Sequence, residues 1–316
     1  MRRERYEMGL FTGRKFEILR GRYGRRLTLF TRWSSEVERT VKRLGVVELE
    51  FNHAKGWRGD DVSFLKRLPQ LLVFEIIDFK IRDISEIHSL GNLRALDVNT
   101  YCDTEIDFSR FPLLEEASLE WRSGVRSLLE RHTLRKLFIN HYPGSALADF
   151  SSLIQLEFLS LKSPKIERIG DVSQLTRLQT VELGNARKLV SLEGIEGLRN
   201  LETLEIQKCK RITNINSVKD LTKLQRLFIC DCGPIESLKP IRQLKYLKEV
   251  HFYESTNILD GDLSPLKELA KLEDVSFQER NHYNYGRADF DANYPVILEK
   301  ALRYIGGKKT GGGHPV

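Results

Sequence analysis

A hexad of the form apolar-x-x-apolar-x-apolar recurs eleven times, opening at Val46, Leu71, Leu93, Leu114, Leu134, Leu156, Leu178, Leu201, Leu224, Leu247 and Leu272. The intervals between copies run from 20 to 25 residues. A fixed internal period of this length restricts a chain to a stack of small supersecondary units. Within each unit the hexad reads as a β-strand whose side chains alternate between two faces. The rest of the unit carries an apolar residue at every third position. Leu189, Leu192, Ile195, Leu198, Leu201 is the clearest copy, and Ile212, Ile215, Val218, Leu221, Leu224 follows it. A period of three fits a short 3₁₀-like return segment. One unit has about half a dozen apolar side chains and no second layer to cover them, so it is stable only when its neighbours bury them.

The segment Gly194-Ile195-Glu196-Gly197-Leu198-Arg199-Asn200-Leu201-Glu202-Thr203-Leu204-Glu205-Ile206 resembles the short, 22-residue class of leucine-rich repeats, and the likeness covers about residues 46 to 280. The resemblance implies an α/β fold: a right-handed solenoid with a concave parallel sheet and capped ends. That family often places Asn, sometimes Cys, at the ninth position. Here Cys209 and Cys232 fit it, whereas Ala54, Phe79, Tyr101, Arg122, Tyr142, Pro164, Ala186 and Ser255 do not. Irregular turns are expected, with a distortion in the short unit from Leu114 to Leu134 that contains Gly124.

The expected organisation is an N-terminal cap over 1–45, about eleven repeats over 46–280, a capping helix over 281–305 and a disordered tail over 306–316. The cap is read as two strands, Lys15–Leu19 and Arg26–Phe30, followed by a helix with capping-box spacing at Ser35 and Glu38. At the other end Asn293-Tyr294-Pro295 reads as a helix start and Gly306-Gly307 as its stop.

The chain of 316 residues carries a net charge of +7. The strand positions that point away from the core are nevertheless acidic. Positions three, five, seven and eight hold Glu48, Glu50, Glu75, Asp78, Asp97, Glu116, Glu120, Glu182, Glu205, Asp231, Glu249, Glu254, Asp274 and Glu279, against only Lys136, Lys162, Lys208 and Arg226. Phe138, Phe158, Phe228, His251 and Tyr253 interrupt these charges, and Trp121, His141 and Tyr142 lie at strand ends. The expected function is therefore recognition of a basic protein on an acidic, aromatic-studded sheet, as by an immunity-type protein that neutralises a basic toxin. The partner-binding residues are expected to be Glu75, Asp97, Glu116, Glu120, Phe138, Phe158, Glu182, Glu205, Phe228, Glu249, His251 and Tyr253. Two alternatives stay open: an adaptor or regulatory subunit of an enzyme complex, and nucleic-acid binding by the basic hairpin with Arg20, Arg22, Arg25 and Arg26.

The sequence argues against catalysis. None of the seven histidines pairs with a nearby Cys or His at metal spacing, and GxSxG, P-loop and HExxH motifs are absent. No metal or cofactor is expected. The start Met1-Arg2-Arg3-Glu4-Arg5 lacks the apolar core of a secretory signal, and no apolar run reaches membrane-spanning length. A cytoplasmic protein, monomeric alone and without a membrane partner, is the expectation. Cys102, Cys209, Cys230 and Cys232 are expected to be reduced thiols.

Overall fold

The computed structural model describes residues 14–290. The chain divides into two compact units that meet in sequence between Tyr142 and Pro143.

The first unit opens with a hairpin of β1 (Phe16–Arg20) and β2 (Arg25–Leu29), paired antiparallel so that Phe16 faces Leu29. Both strands lie one residue from their expected limits. Helix α1 (Ser35–Leu44) carries the chain from β2 to a parallel neighbour, β3 (Val46–Asn52). The N-cap is Ser34, whose hydroxyl accepts from the Val37 amide at 3.3 Å, and not Ser35 as the capping-box spacing suggests. Glu36 and Glu38 in the first turn and Lys42 and Arg43 in the last complement the helix dipole, and Gly45 closes the helix at φ 60°. Val37 and Val41 are the buried stripe.

Four more parallel strands follow: β4 (Val73–Asp78), β5 (Ala95–Thr100), β6 (Glu116–Glu120) and β7 (Lys136–Asn140). Their register matches the hexads residue for residue. The fifth positions Glu50, Glu75, Asp97, Ser118 and Phe138 are successive partners across β3 to β7. Fourth and sixth positions such as Leu49, Phe51, Phe74, Ile76, Leu96 and Val98 are buried. In the short repeat, Gly124 at φ 80° starts a six-residue 3₁₀ segment, Val125–Glu130.

The second unit builds a parallel sheet from β8 (Phe158–Lys162), β9 (Thr180–Gly184), β10 (Thr203–Gln207), β11 (Arg226–Cys230), β13 (Glu249–Phe252) and β15 (Asp274–Phe277). The short strands β12 (Pro234–Ile235) and β14 (Asn257–Ile258) pair separately, and α2 (Ser264–Lys267) is a single turn. Four of these strands, β9, β10, β11 and β13, end in the same way. Asn185, Lys208, Asp231 and Glu254, all eighth positions, take left-handed φ values between 51° and 60°. The amides of Asn185, Lys208 and Asp231 then reach carbonyls of the next repeat, at 2.8, 3.1 and 3.2 Å.

The two ninth-position cysteines tie adjacent repeats together. Cys209 donates its thiol to Leu183 O at 3.7 Å and Cys232 to Ile206 O at 3.5 Å, each reaching the preceding repeat. All four cysteines are free thiols. Return segments start on a further device. Asp61, Asp83, Asp107, Asp171 and Asp262 each accept the backbone amide of a Ser two residues on, a turn that holds the chain as it leaves the strand layer.

At the end of β15, Phe277 stacks on Phe252 with centroids 5.0 Å apart, and beyond it the Tyr283 hydroxyl accepts from the Ile258 amide. The described part of the expected C-terminal capping segment holds turns and a 3₁₀ turn at Arg287–Asp289. The expected helix from Asn293 and the tail after it lie outside the described residues.

Candidate functional site

In the first unit the outward positions of the sheet meet the chain's own hairpin. The Gly21-Arg22-Tyr23-Gly24 turn folds over the strands, so that the Tyr23 amide donates to Glu48 and Arg22 ion-pairs with Glu116. The Tyr23 hydroxyl donates to Glu115 at 3.1 Å. Arg26 spans two strands: its Nη2 lies 2.9 Å from Glu50 Oε2 and 2.6 Å from Glu75 Oε2, and its Nη1 donates to Glu75 Oε1 at 2.8 Å. Burial works against these charges, yet bonds from Lys55, Arg26 and Thr28 hold Glu50 below the usual carboxylate range. Arg22 and Lys136 do the same for Glu116 against its burial. Glu120 accepts from Asn140 at 2.7 Å and contacts His141 Nδ1 at 2.6 Å.

Three acids read from the sequence as outward-facing are in fact buried: Glu48, Glu50 and Asp78. Asp78 accepts the amides of Lys80 and Ile81, which makes it a turn residue. Tyr142 is also buried, against Trp121 at a centroid distance of 5.1 Å. Among the first-unit candidates, Glu75 and Glu116 have arginine partners and Glu120 a histidine. Asp97 does not: burial, reinforced by the charge on Glu75, pushes its carboxyl up to about 6. Phe138 is half-buried on β7.

The second unit presents a different face. Its fifth-position row runs Ser160, Glu182, Glu205, Phe228, His251, Ser276 across β8 to β15. The third-position row beside it runs Phe158, Thr180, Thr203, Arg226, Glu249, Asp274. The structure thus brings Glu182, Glu205, Phe228, Glu249 and His251 onto one sheet face, with Phe158 at its β8 side. Phe228 and His251 rings lie 4.7 Å apart, and His251 Nε2 is 2.9 Å from Asp274. Tyr253, just beyond β13, is 38% exposed. Burial and then the neighbouring Glu182 charge raise the Glu205 carboxyl above its ordinary range, while Lys162 opposes this.

Sequence reasoning missed the hairpin arginines as partners of the sheet, because Arg22 and Glu116 are 94 residues apart and share no period. It also passed over Ser160, whose fifth-position place is plain in the hexad. Its hydroxyl is buried and lacks a hydrogen-bond partner. Among the described residues no helix is long and apolar enough to cross a membrane, and no group of three His, Cys, Asp or Glu side chains is placed to hold a metal ion.

No family model and no curated protein sequence matches the chain. Solved structures do. An internalin of Listeria monocytogenes is similar over 76% of this chain and 76% of its own, at 21% identity and a TM-score of 0.57. A leucine-rich-repeat protein of Leptospira interrogans is similar over 74% of this chain and 62% of its own, at 20% identity and a TM-score of 0.55. At these identities the likeness establishes the fold.

Proposed function

We propose that this chain, whose repeats and fold are those of a leucine-rich-repeat solenoid, is a non-enzymatic binding module whose second-unit sheet face receives a basic protein. The observation that carries this reading is the contrast between the two sheet faces. First-unit acids are largely engaged by the chain's own cations, whereas Glu182 and Glu205 stand in register with no ion pair among the described residues, beside the Phe228–His251 ring pair. Carboxylates flanking half-buried rings match the charge and anchors of an interface with a cationic surface. Neutralisation of a basic toxin is the sharper form of this reading, and an adaptor role in an enzyme complex is its alternative. Nucleic-acid binding by the hairpin is less favoured, since Arg22 and Arg26 are committed to carboxylates and Arg25 to Leu44 O.

The test uses the chain's own charge. A molecule of net +7 repels basic proteins as a whole, so any that bind it must find a local acidic face. A small cationic ribonuclease and an acidic protein of equal size are measured against the immobilised chain at low and high salt. The ribonuclease should bind and be released by salt, since exposed charges are screened over about 8 Å at physiological ionic strength. Glu182→Lys with Glu205→Lys should abolish that binding and leave the circular dichroism intact. Preference for the acidic protein, or binding indifferent to the double reversal, contradicts the reading.

A further inference from the structure

The first unit contains a worked example of what a register pair of glutamates on this sheet holds. Glu50 and Glu75, fifth-position residues of adjacent strands, face each other across β3 and β4, and the single guanidinium of Arg26 bonds to both. The second unit repeats the pair. Glu182 and Glu205 are fifth-position partners across β9 and β10. Like charges directly opposed on neighbouring strands, with Cβ atoms about 5 Å apart, destabilise a sheet unless a cation answers both. Among the described residues no lysine or arginine is ion-paired with either.

Two further features flank the pair along the same row. Ser160 is the register partner of Glu182 on β8; its side chain is 1% exposed and its hydroxyl is without a hydrogen-bond partner. An unmade bond at a buried hydroxyl is costly, and a ligand N–H arriving beside Glu182 supplies it. On the other side Phe228 is the register partner of Glu205, and its half-buried ring offers a face for a planar cation. Four consecutive strands therefore present a hydroxyl, two carboxylates and a ring in one line, about 14 Å long at 4.8 Å per strand.

We infer that Ser160, Glu182, Glu205 and Phe228 form a subsite for an arginine side chain of the partner protein, its guanidinium bridging the two carboxylates as Arg26 bridges Glu50 and Glu75. Arginine is preferred to lysine because its planar fork bonds two carboxylates at fixed angles and stacks on a ring, while an ammonium is a point charge. Lys162, on β8, weakens the positive ligand's hold through its own charge near Glu205. The inference rests on the reading of this face as a receptor for a basic protein and specifies one contact of it.

The experiment titrates the full chain, isotopically labelled, with N-acetyl-arginine amide, with the lysine analogue and with the neutral citrulline analogue, followed by NMR. The arginine probe should shift the signals of Ser160 and the Phe228 ring in the millimolar range, the lysine analogue more weakly and the citrulline analogue not at all. Glu182→Gln and Glu205→Gln should each weaken the arginine probe at least tenfold. Both substitutions remove a like charge and leave the fold intact, which the unperturbed remainder of the spectrum verifies. Shifts confined to other regions, equal response to citrulline, or indifference to both substitutions overturn the subsite. If the probe fails here while the charge-reversed double variant still loses the cationic ribonuclease, the subsite alone is wrong; if both fail, so does the wider reading.

Discussion

Asp97 shows how much one side chain on this sheet depends on its row. It lies between Glu75 on β4 and Ser118 on β6, accepts from Asn99 at 2.5 Å, and is raised to about 6 by burial and then by the Glu75 charge. A carboxyl raised in the folded state binds its proton more tightly there than in the unfolded chain. The contribution of Asp97 to stability is therefore greatest below the unfolded pKa of about 4 and falls as pH rises toward 6. Asp97→Asn, which has no proton to lose, should be more stable than the parent by about 2 kcal/mol at pH 7 and should lose that advantage at pH 4. Urea denaturation at a series of pH values checks this, and a difference that does not change with pH would refute the assignment.

At the scale of elements the hairpin has two tasks. It closes the first unit's sheet, with β2 pairing in parallel to β3, and its arginines answer the acids of that sheet. Arg26→Gln should leave Glu50 and Glu75 opposed without their shared cation. The expected loss is about 1–3 kcal/mol, below the cost of breaking a fully buried pair because Arg26 is part-exposed. The same variant should gain a second site for N-acetyl-arginine amide, seen as new shifts near Glu75. Unchanged stability with no new site would show that the Arg26 contacts carry neither role. The repeat strands were legible beforehand because their core positions recur at a fixed spacing and the alternation of side chains does the rest. Eleven hexads became eleven parallel strands, with Leu204, Ile206, Leu227 and Ile229 buried as the alternation requires. The hairpin's fold over the sheet was not legible, because a contact between Arg22 and Glu116 follows from the path of a turn and not from any period. A second pattern was present and overlooked. Asp, an apolar residue and Ser occur in sequence at Asp61, Asp83, Asp107, Asp171 and Asp262, and each triplet is a side-chain-capped turn.

For the molecule as a whole, net charge is a poor guide to what its surfaces bind. The chain is basic, yet its strands carry acids, and the difference between those acids is whether the chain itself supplies the cation. Glu75 and Glu116 have theirs, whereas Glu182 and Glu205 form no ion pair among the described residues. On the proposed function, this second face receives a basic protein. The most direct test places a photo-crosslinking residue at Gln207, on the β10 face, or at Lys219, exposed in the return segment Asn216–Asp220. After irradiation in an extract of the source cells, the identity and charge of each adduct are read by mass spectrometry. Position 207 should give adducts with strongly basic proteins, lost at about 0.5 M salt where screening is short-ranged, and position 219 should give none of these. Adducts with acidic proteins, or with any partner from position 219 alone, would contradict that function.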